Sequence, residues 1–194
     1  LSSCDDPGMP GVILAHNTGP NVALHVGLDS SLRQVGSLVD GAEDFKVTHV
    51  SGAPGSEVVG VNGTGLLNFD GAPATPQNYT VGANGDITAN GGELDDRLTL
   101  DPDVLSPANL RGGPGADRLV GGAGNDTLNG DAGLDLLVGG DGADILNGGA
   151  EQDVLDGQEG DDQLLGGSQS DILMGGPGGD LLNGGPGFDT ATYA

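Results

Sequence analysis

GGPGADRLV GGAGNDTLN GDAGLDLLV GGDGADILN GGAEQDVLD GQEGDDQLL GGSQSDILM GGPGGDLLN GGPGFDTAT: residues Gly112 to Thr192 fall into consecutive blocks of nine without a gap. Each block has Asp at its sixth position, namely Asp117, Asp126, Asp135, Asp144, Asp153, Asp162, Asp171, Asp180 and Asp189. Leu holds the eighth position of every block but the last, which has Ala191. Were position six only a turn former, Asn and Ser would replace Asp there freely, and neither does. A fixed period of this kind marks repeated units that stack on one another.

Glycines at positions one, two and four admit positive φ and a tight turn. The three residues after Asp suit a short strand, with position eight facing one way and positions seven and nine the other. Turn, strand, turn, strand closes one coil from two blocks, so each turn lies above the turn two blocks earlier. The sixth-position carboxylates then line two edges, beside turn carbonyls. Ca²⁺ takes six to eight hard oxygens at about 2.3–2.6 Å in flexible geometry, and two stacked turns can supply them.

The nonapeptide GGxGxDxUx over residues 112–194 resembles the RTX (hemolysin-type) calcium-binding repeat family. The resemblance implies an all-β, right-handed parallel β-roll, a β-solenoid, at 111–194, with several Ca²⁺ ions held between turns. Its metal ligands would be the nine aspartates and the turn backbone at Gly112, Gly115, Gly121, Gly124, Gly130, Gly133, Gly139, Gly142, Gly157, Gly160, Gly175 and Gly178.

The two rows of turns differ. Even blocks keep glycine at position four, whereas odd blocks lose it at Glu151 and Gln169, where a side chain strains the turn. Even-row sites are therefore expected to be regular, and odd-row sites near Glu151 and Gln169 weaker or differently coordinated, with Glu151 itself a candidate extra ligand. Asp131 and Gln158 replace the second glycine. The outer faces differ too. The odd strands turn Val120, Leu136, Val138, Val154, Ile172 and Met174 outward, an apolar strip. Such a strip is expected to meet a partner, a second copy of the chain (a homo-oligomer or polymer) being one, or else to be covered by the N-terminal region.

The chain has 194 residues, a net charge of −24, 40 Gly and 3% aromatic residues. That composition alone points to disorder; the repeats overturn it, because metal can supply what a thin Leu core does not. No Lys or Arg follows Arg118, so the Asp rows repel one another without cations. The repeats are expected to be largely unfolded at low calcium and to fold on binding it, which suits a protein made in a calcium-poor cytosol and secreted. The acidity argues against nucleic acid as a partner. No apolar run is long enough for a membrane span. A lone Cys4 excludes an intrachain disulfide. Leu1-Ser2-Ser3-Cys4 also resembles a bacterial lipoprotein box, which leaves Cys4 as either a terminal thiol or a lipid attachment point.

Residues 1–110 read as a β-rich segment, either a small sandwich or an irregular continuation of the solenoid that caps its end. Short β-prone runs are Val22–Val26, Phe45–Val50, Val58–Val61, Leu66–Phe69, Tyr79–Val81 and Leu98–Leu100; Leu32–Val39 is the nearest candidate helix. Gly91 to Thr99 is a degenerate tenth block, with Leu94 in place of the fourth glycine and 101–111 as an insertion after it. No enzyme is legible: His16, His25 and His49 form no HExxH, and no GxSxG is present. Ice binding is set aside for want of a Thr ladder. The expected role is a secreted, calcium-binding structural protein of the cell surface or matrix; the alternative is an accessory or secretion module of a larger secreted enzyme or toxin.

Overall fold

The computed structural model describes the backbone of strands β1 (Ala15–Asn17), β2 (Val22–His25), β3 (Asp44–Ser51), β4 (Ser56–Gly63) and β5 (Gln77–Gly82), then residues 87–193 apart from 93. Side chains are described for Lys46 and for that last stretch. The remaining strands are β6 (Ile87–Asn90), β7 (Arg97–Leu100), β8 (Ala108–Pro114), β9 (Arg118–Val120), β10 (Thr127–Ala132), β11 (Leu136–Asp141), β12 (Ile145–Ala150), β13 (Val154–Glu159), β14 (Gln163–Ser168), β15 (Ile172–Met174), β16 (Leu181–Asn183) and β17 (Thr190–Thr192). The described residues form no helix, and none could therefore cross a membrane as one.

The strands make two sheets. One runs β1-β2-β6-β8-β10-β12-β14-β16, the other β17-β15-β13-β11-β9-β7-β3-β4-β5. From β6 onward every pairing is parallel, and the chain alternates between sheets to build a β-solenoid of about 6 turns. The register follows the nonapeptide: Leu128 pairs with Leu146 and Leu146 with Leu164 in one sheet, Leu119 with Leu137 and Leu137 with Leu155 in the other. With a side-chain period of two, this sends the whole eighth-position row inward. Leu119, Leu128, Leu137, Leu146, Leu155, Leu164 and Leu173 are all 0% exposed, and Ile87, Leu98, Leu100, Val104 and Leu110 extend the same core upstream.

The N-terminal strands continue the two sheets. β2 lies parallel to β6 and β3 parallel to β7, while β1–β2, β3–β4 and β4–β5 are antiparallel. Residues 22–25 of the run at 22–26 thus form β2, and the runs at 45–50, 58–61, 79–81 and 98–100 fall within β3, β4, β5 and β7. Leu66–Phe69, Leu32–Val39 and Cys4 lie outside the described residues, as do the side chains of His16, His25 and His49.

Two readings are corrected. Residues 101–111 are not an insertion outside the coil: Asn109, Leu110 and Arg111 pair with Thr127, Leu128 and Asn129, so β8 is a full rung with buried Ala108 where the repeats have Asp. Its turn is built differently, with Val104 N–H donating to the Asp101 carbonyl (3.0 Å) and Ala123 N–H to the Val104 carbonyl (2.6 Å). Nor do the position-one glycines require positive φ. Left-handed glycines fall at positions two and four, such as Gly140 (φ 118°) and Gly142 (φ 132°). Position one is glycine for want of space: a Cβ at Gly139 would overlap the Asp144 carboxylate and come within 2.8 Å of the Gly157 carbonyl oxygen.

Candidate metal centre in two rows of stacked aspartates

Each turn hands its aspartate to the turn below. The backbone N–H of Asp117 donates to Asp135 Oδ1 (2.8 Å), Asp135 to Asp153 (2.9 Å), Asp153 to Asp171 (2.9 Å) and Asp171 to Asp189 (3.0 Å). The opposite edge repeats this from Asp126 to Asp144 (2.8 Å), Asp144 to Asp162 (2.9 Å) and Asp162 to Asp180 (3.1 Å). Asp117 through Asp171 are buried, none more than 2% exposed.

One oxygen of each carboxylate is thereby satisfied. The other is not: Oδ2 of Asp117, Asp135, Asp144, Asp153, Asp162, Asp171 and Asp180 is buried without a hydrogen-bond partner. Asp126 differs, since its Oδ2 accepts the Gly122 N–H (2.8 Å) and its Oδ1 the Ala108 N–H (2.7 Å). A buried unpaired charge is costly enough that the group must bind a proton or a cation. Each Oδ2 borders the cleft that the position-one glycine leaves open, and the carbonyl of the next such glycine borders it too, as Gly148 O does at Gly130 and Gly166 O at Gly148. Among the described residues no three His, Cys, Asp or Glu side chains converge on a common point. A cation here needs main-chain oxygens beside the carboxylates, which is what Ca²⁺ accepts.

Burial has the consequence expected for carboxylates without a cation. Desolvation raises Asp117, Asp126, Asp144 and Asp153 to about 7 and Asp135 to about 6, and raises Asp162 and Asp171. The backbone N–H bonds oppose the shift; neighbouring carboxylates add to it in every case but Asp126. With folded values above the ordinary 3.8, protonation favours the metal-free fold: that stabilisation is full below about pH 4 and lost as pH rises through 6 to 7. In chelator, the β signal in far-UV circular dichroism is therefore expected to grow as pH falls from 8 to 4. Calcium affinity should weaken over the same interval, because protons and cations compete for the same oxygens. A chelated chain equally ordered at pH 8 and pH 4 would overturn this.

The irregular turns keep their shape. Asp131, Glu151, Gln158 and Gln169 all take left-handed backbone (φ 78°, 79°, 69° and 79°), a conformation that costs side-chain-bearing residues about 1–3 kcal/mol. Glu151 stands beside the odd row, where its charge helps to raise Asp135 and Asp153, and its Oε2 accepts the Gly133 N–H (3.0 Å). A set of contacts not foreseen from the sequence lies beside the rows. Side chains at position five accept the position-five N–H one coil on: Asn125 from Ala143 (3.1 Å), Asp161 from Gly179 (2.8 Å) and Ser170 from Phe188 (3.2 Å). The signal was present as short polar residues at that position, obscured by the Asp beside it.

The apolar residues assemble as expected. Leu136, Val154 and Ile172 are register partners on one outer face, with Val120 and Val138 in the adjacent row; Asp156 stands between Val138 and Met174. Ile172 is 44% exposed and the others are half-buried.

These features define a parallel β-solenoid with a row of buried carboxylates along each edge. The comparisons agree: residues 109–137, 138–173 and 174–192 each match the RTX calcium-binding nonapeptide repeat family. The chain carries RTX calcium-binding repeats. No curated protein and no solved structure matches it.

Proposed function

We propose that this chain is a secreted calcium-binding protein with a structural role at the cell surface or in the extracellular matrix, folding when it meets calcium and joining other copies of itself. The observation that carries the calcium reading is the set of buried, partnerless Oδ2 atoms in both rows. The donors would be the nine repeat aspartates and the turn carbonyls at positions one and four, including Gly112, Gly115, Gly130, Gly133, Gly157, Gly160, Gly175 and Gly178. When bound, the cation neutralises the rows and fills the coordination that the protein leaves open. The aspartates also hold the preceding turn of their row through their Oδ1 atoms, so cation uptake and turn stacking are one event. Strands β1 to β5 serve as the cap of the solenoid.

The structural role is supported by the outward-facing apolar strip, in which Ile172 is 44% exposed, since a contiguous apolar strip of this kind marks a contact surface. Light scattering after gel filtration, in excess calcium and again in chelator, tests the role. Calcium-dependent particles well above 19.0 kDa are the expected result. A calcium-bound monomer would overturn self-association and favour a folding module for an attached secreted domain.

A further inference from the structure

We propose that the odd row holds one cation more than the nonapeptide pattern provides, in the turn from Gly91 to Asp96, outside the residues that match the repeat family. This rests on the reading that the rows bind calcium. The sequence disguises the turn: Leu94 replaces the fourth glycine, and Gly112 follows Gly91 by 21 residues, where each regular turn follows its neighbour in the row by 18. Yet its geometry is that of a repeat turn. Asp96 is buried at 2% exposure. Its N–H donates to Asp117 Oδ1 (2.7 Å), as Asp117 N–H does to Asp135. Leu94 supplies the left-handed backbone itself (φ 77°).

The stacking is matched turn for turn. Gly91 N–H donates to the Arg111 carbonyl (2.8 Å), Gly92 to Gly112 (2.9 Å) and Leu94 to Pro114 (2.8 Å). Ala116 N–H meets Asp95 Oδ1 (2.9 Å), the position-five contact of the regular turns. The metal cleft is reproduced as well. A Cβ at Gly91 would overlap Asp96 Oδ2 and reach within 2.8 Å of the Gly112 carbonyl oxygen, while at Gly130 the corresponding atoms are Asp135 Oδ2 and Gly148 O, the latter at 2.7 Å. The next aspartate down the row, Asp117, has its own Oδ2 buried and partnerless. The turn therefore offers a hard-oxygen divalent cation such as Ca²⁺ the same donors as its neighbours, Asp96 Oδ2 and Gly112 O among them. The opposite edge has no counterpart, because Ala108 and Ile87 occupy the aspartate place there, both buried. The two rows are staggered, the odd one reaching a coil further toward the N-terminus.

The test is a count of bound calcium per chain by equilibrium dialysis, with hydrogen exchange of the same samples. Relative to the unaltered full chain, Asp96→Asn is expected to lower the count by one, with protection of β10 to β14 retained. In the unaltered chain, the amides of Leu94 to Arg97 should gain protection on calcium addition. An unchanged count in Asp96→Asn, with Asp153→Asn still lowering its own, would overturn the extra site while leaving the calcium reading standing. If Asp96→Asn fails to fold, the exchange result on the unaltered chain decides: equal protection of Leu94 to Arg97 in chelator and in calcium overturns the site. No bound calcium in any variant would overturn the calcium reading itself.

Discussion

Stripped of calcium at pH 8, residues 112–192 are expected to unfold: their amides should exchange freely, and the hydrodynamic radius should rise by tens of per cent. The reason lies in what each rung contains. One buried Leu per nine residues contributes roughly 2–3 kcal/mol, while ordering a residue's backbone costs about 1–2 kcal/mol. Strand hydrogen bonds narrow the gap, but each turn also buries a carboxylate whose Oδ2 has no partner from Asp135 through Asp180. At pH 8 Asp135, Asp144 and Asp153 are above their raised values near 6 to 7 and carry charge. No Lys or Arg follows Arg118 to offset them. Calcium held at these turns would reverse the balance, and a ligand that binds only the folded state stabilises by about 2.7 kcal/mol at a hundred times its Kd. With several turns coupled through Asp Oδ1 contacts, the calcium titration should be steep rather than hyperbolic. The measurement is hydrogen exchange with and without chelator. Full protection of Leu128, Leu146 and Leu164 in chelator would show that the leucine ladder alone sustains the coil.

Most of this architecture could be read from two positions in nine. Asp at position six fixed the phase, and Leu at position eight fixed which side of each strand faces inward. What escaped had lost one of those marks. The rung at 103–111 has Ala108 for Asp and Ser106-Pro107 in its turn, so its single remaining sign was Leu110, eighteen residues before Leu128. The β6 rung hid for the same reason, with buried Ile87 and Ala89 offering an apolar alternation but no turn motif. The role of the first glycine was misread because a sequence pattern reports only that glycine is needed. Whether the need is conformational or steric depends on the approach of Asp Oδ2, which only the stacked coil reveals. Glu151 reads as a spare ligand because its charge lies in the right row; what only the coil reveals is that its Oε2 accepts the Gly133 N–H, which it shares with the Ala150 carbonyl. The Arg111–Asp131 ion pair across the β8 and β10 ends was equally out of reach until both rungs were in register.

Leu164→Ala is expected to cost roughly 3–5 kcal/mol in saturating calcium, and Leu165→Ala less than about 1 kcal/mol. The two residues are adjacent, and both are leucine at the level of composition. Leu164 is 0% exposed and stacks between Leu146 and Leu182; Leu165 is 38% exposed on the outer face between Asn147 and Asn183. A one-residue slip in register would exchange their roles, so the pair measures the phase of the coil directly. The cavity left at 164 is hard to close, because parallel ladder bonds to β12 and β16 fix the strand on both sides, and the leucines of the facing sheet are held by ladders of the same kind. Leu182, only partly buried at the end of the row, would lose its one inner neighbour in that sheet, so the last rungs should loosen first. The same substitution should raise the calcium concentration needed for folding, since each cation would then have to offset a weaker rung. Chemical unfolding at fixed calcium gives both numbers. Equal losses at 164 and 165 would mean that the outer row is covered in solution, as a self-associating face would be, and gel filtration of the Leu165→Ala chain would then decide whether the cover is a second copy.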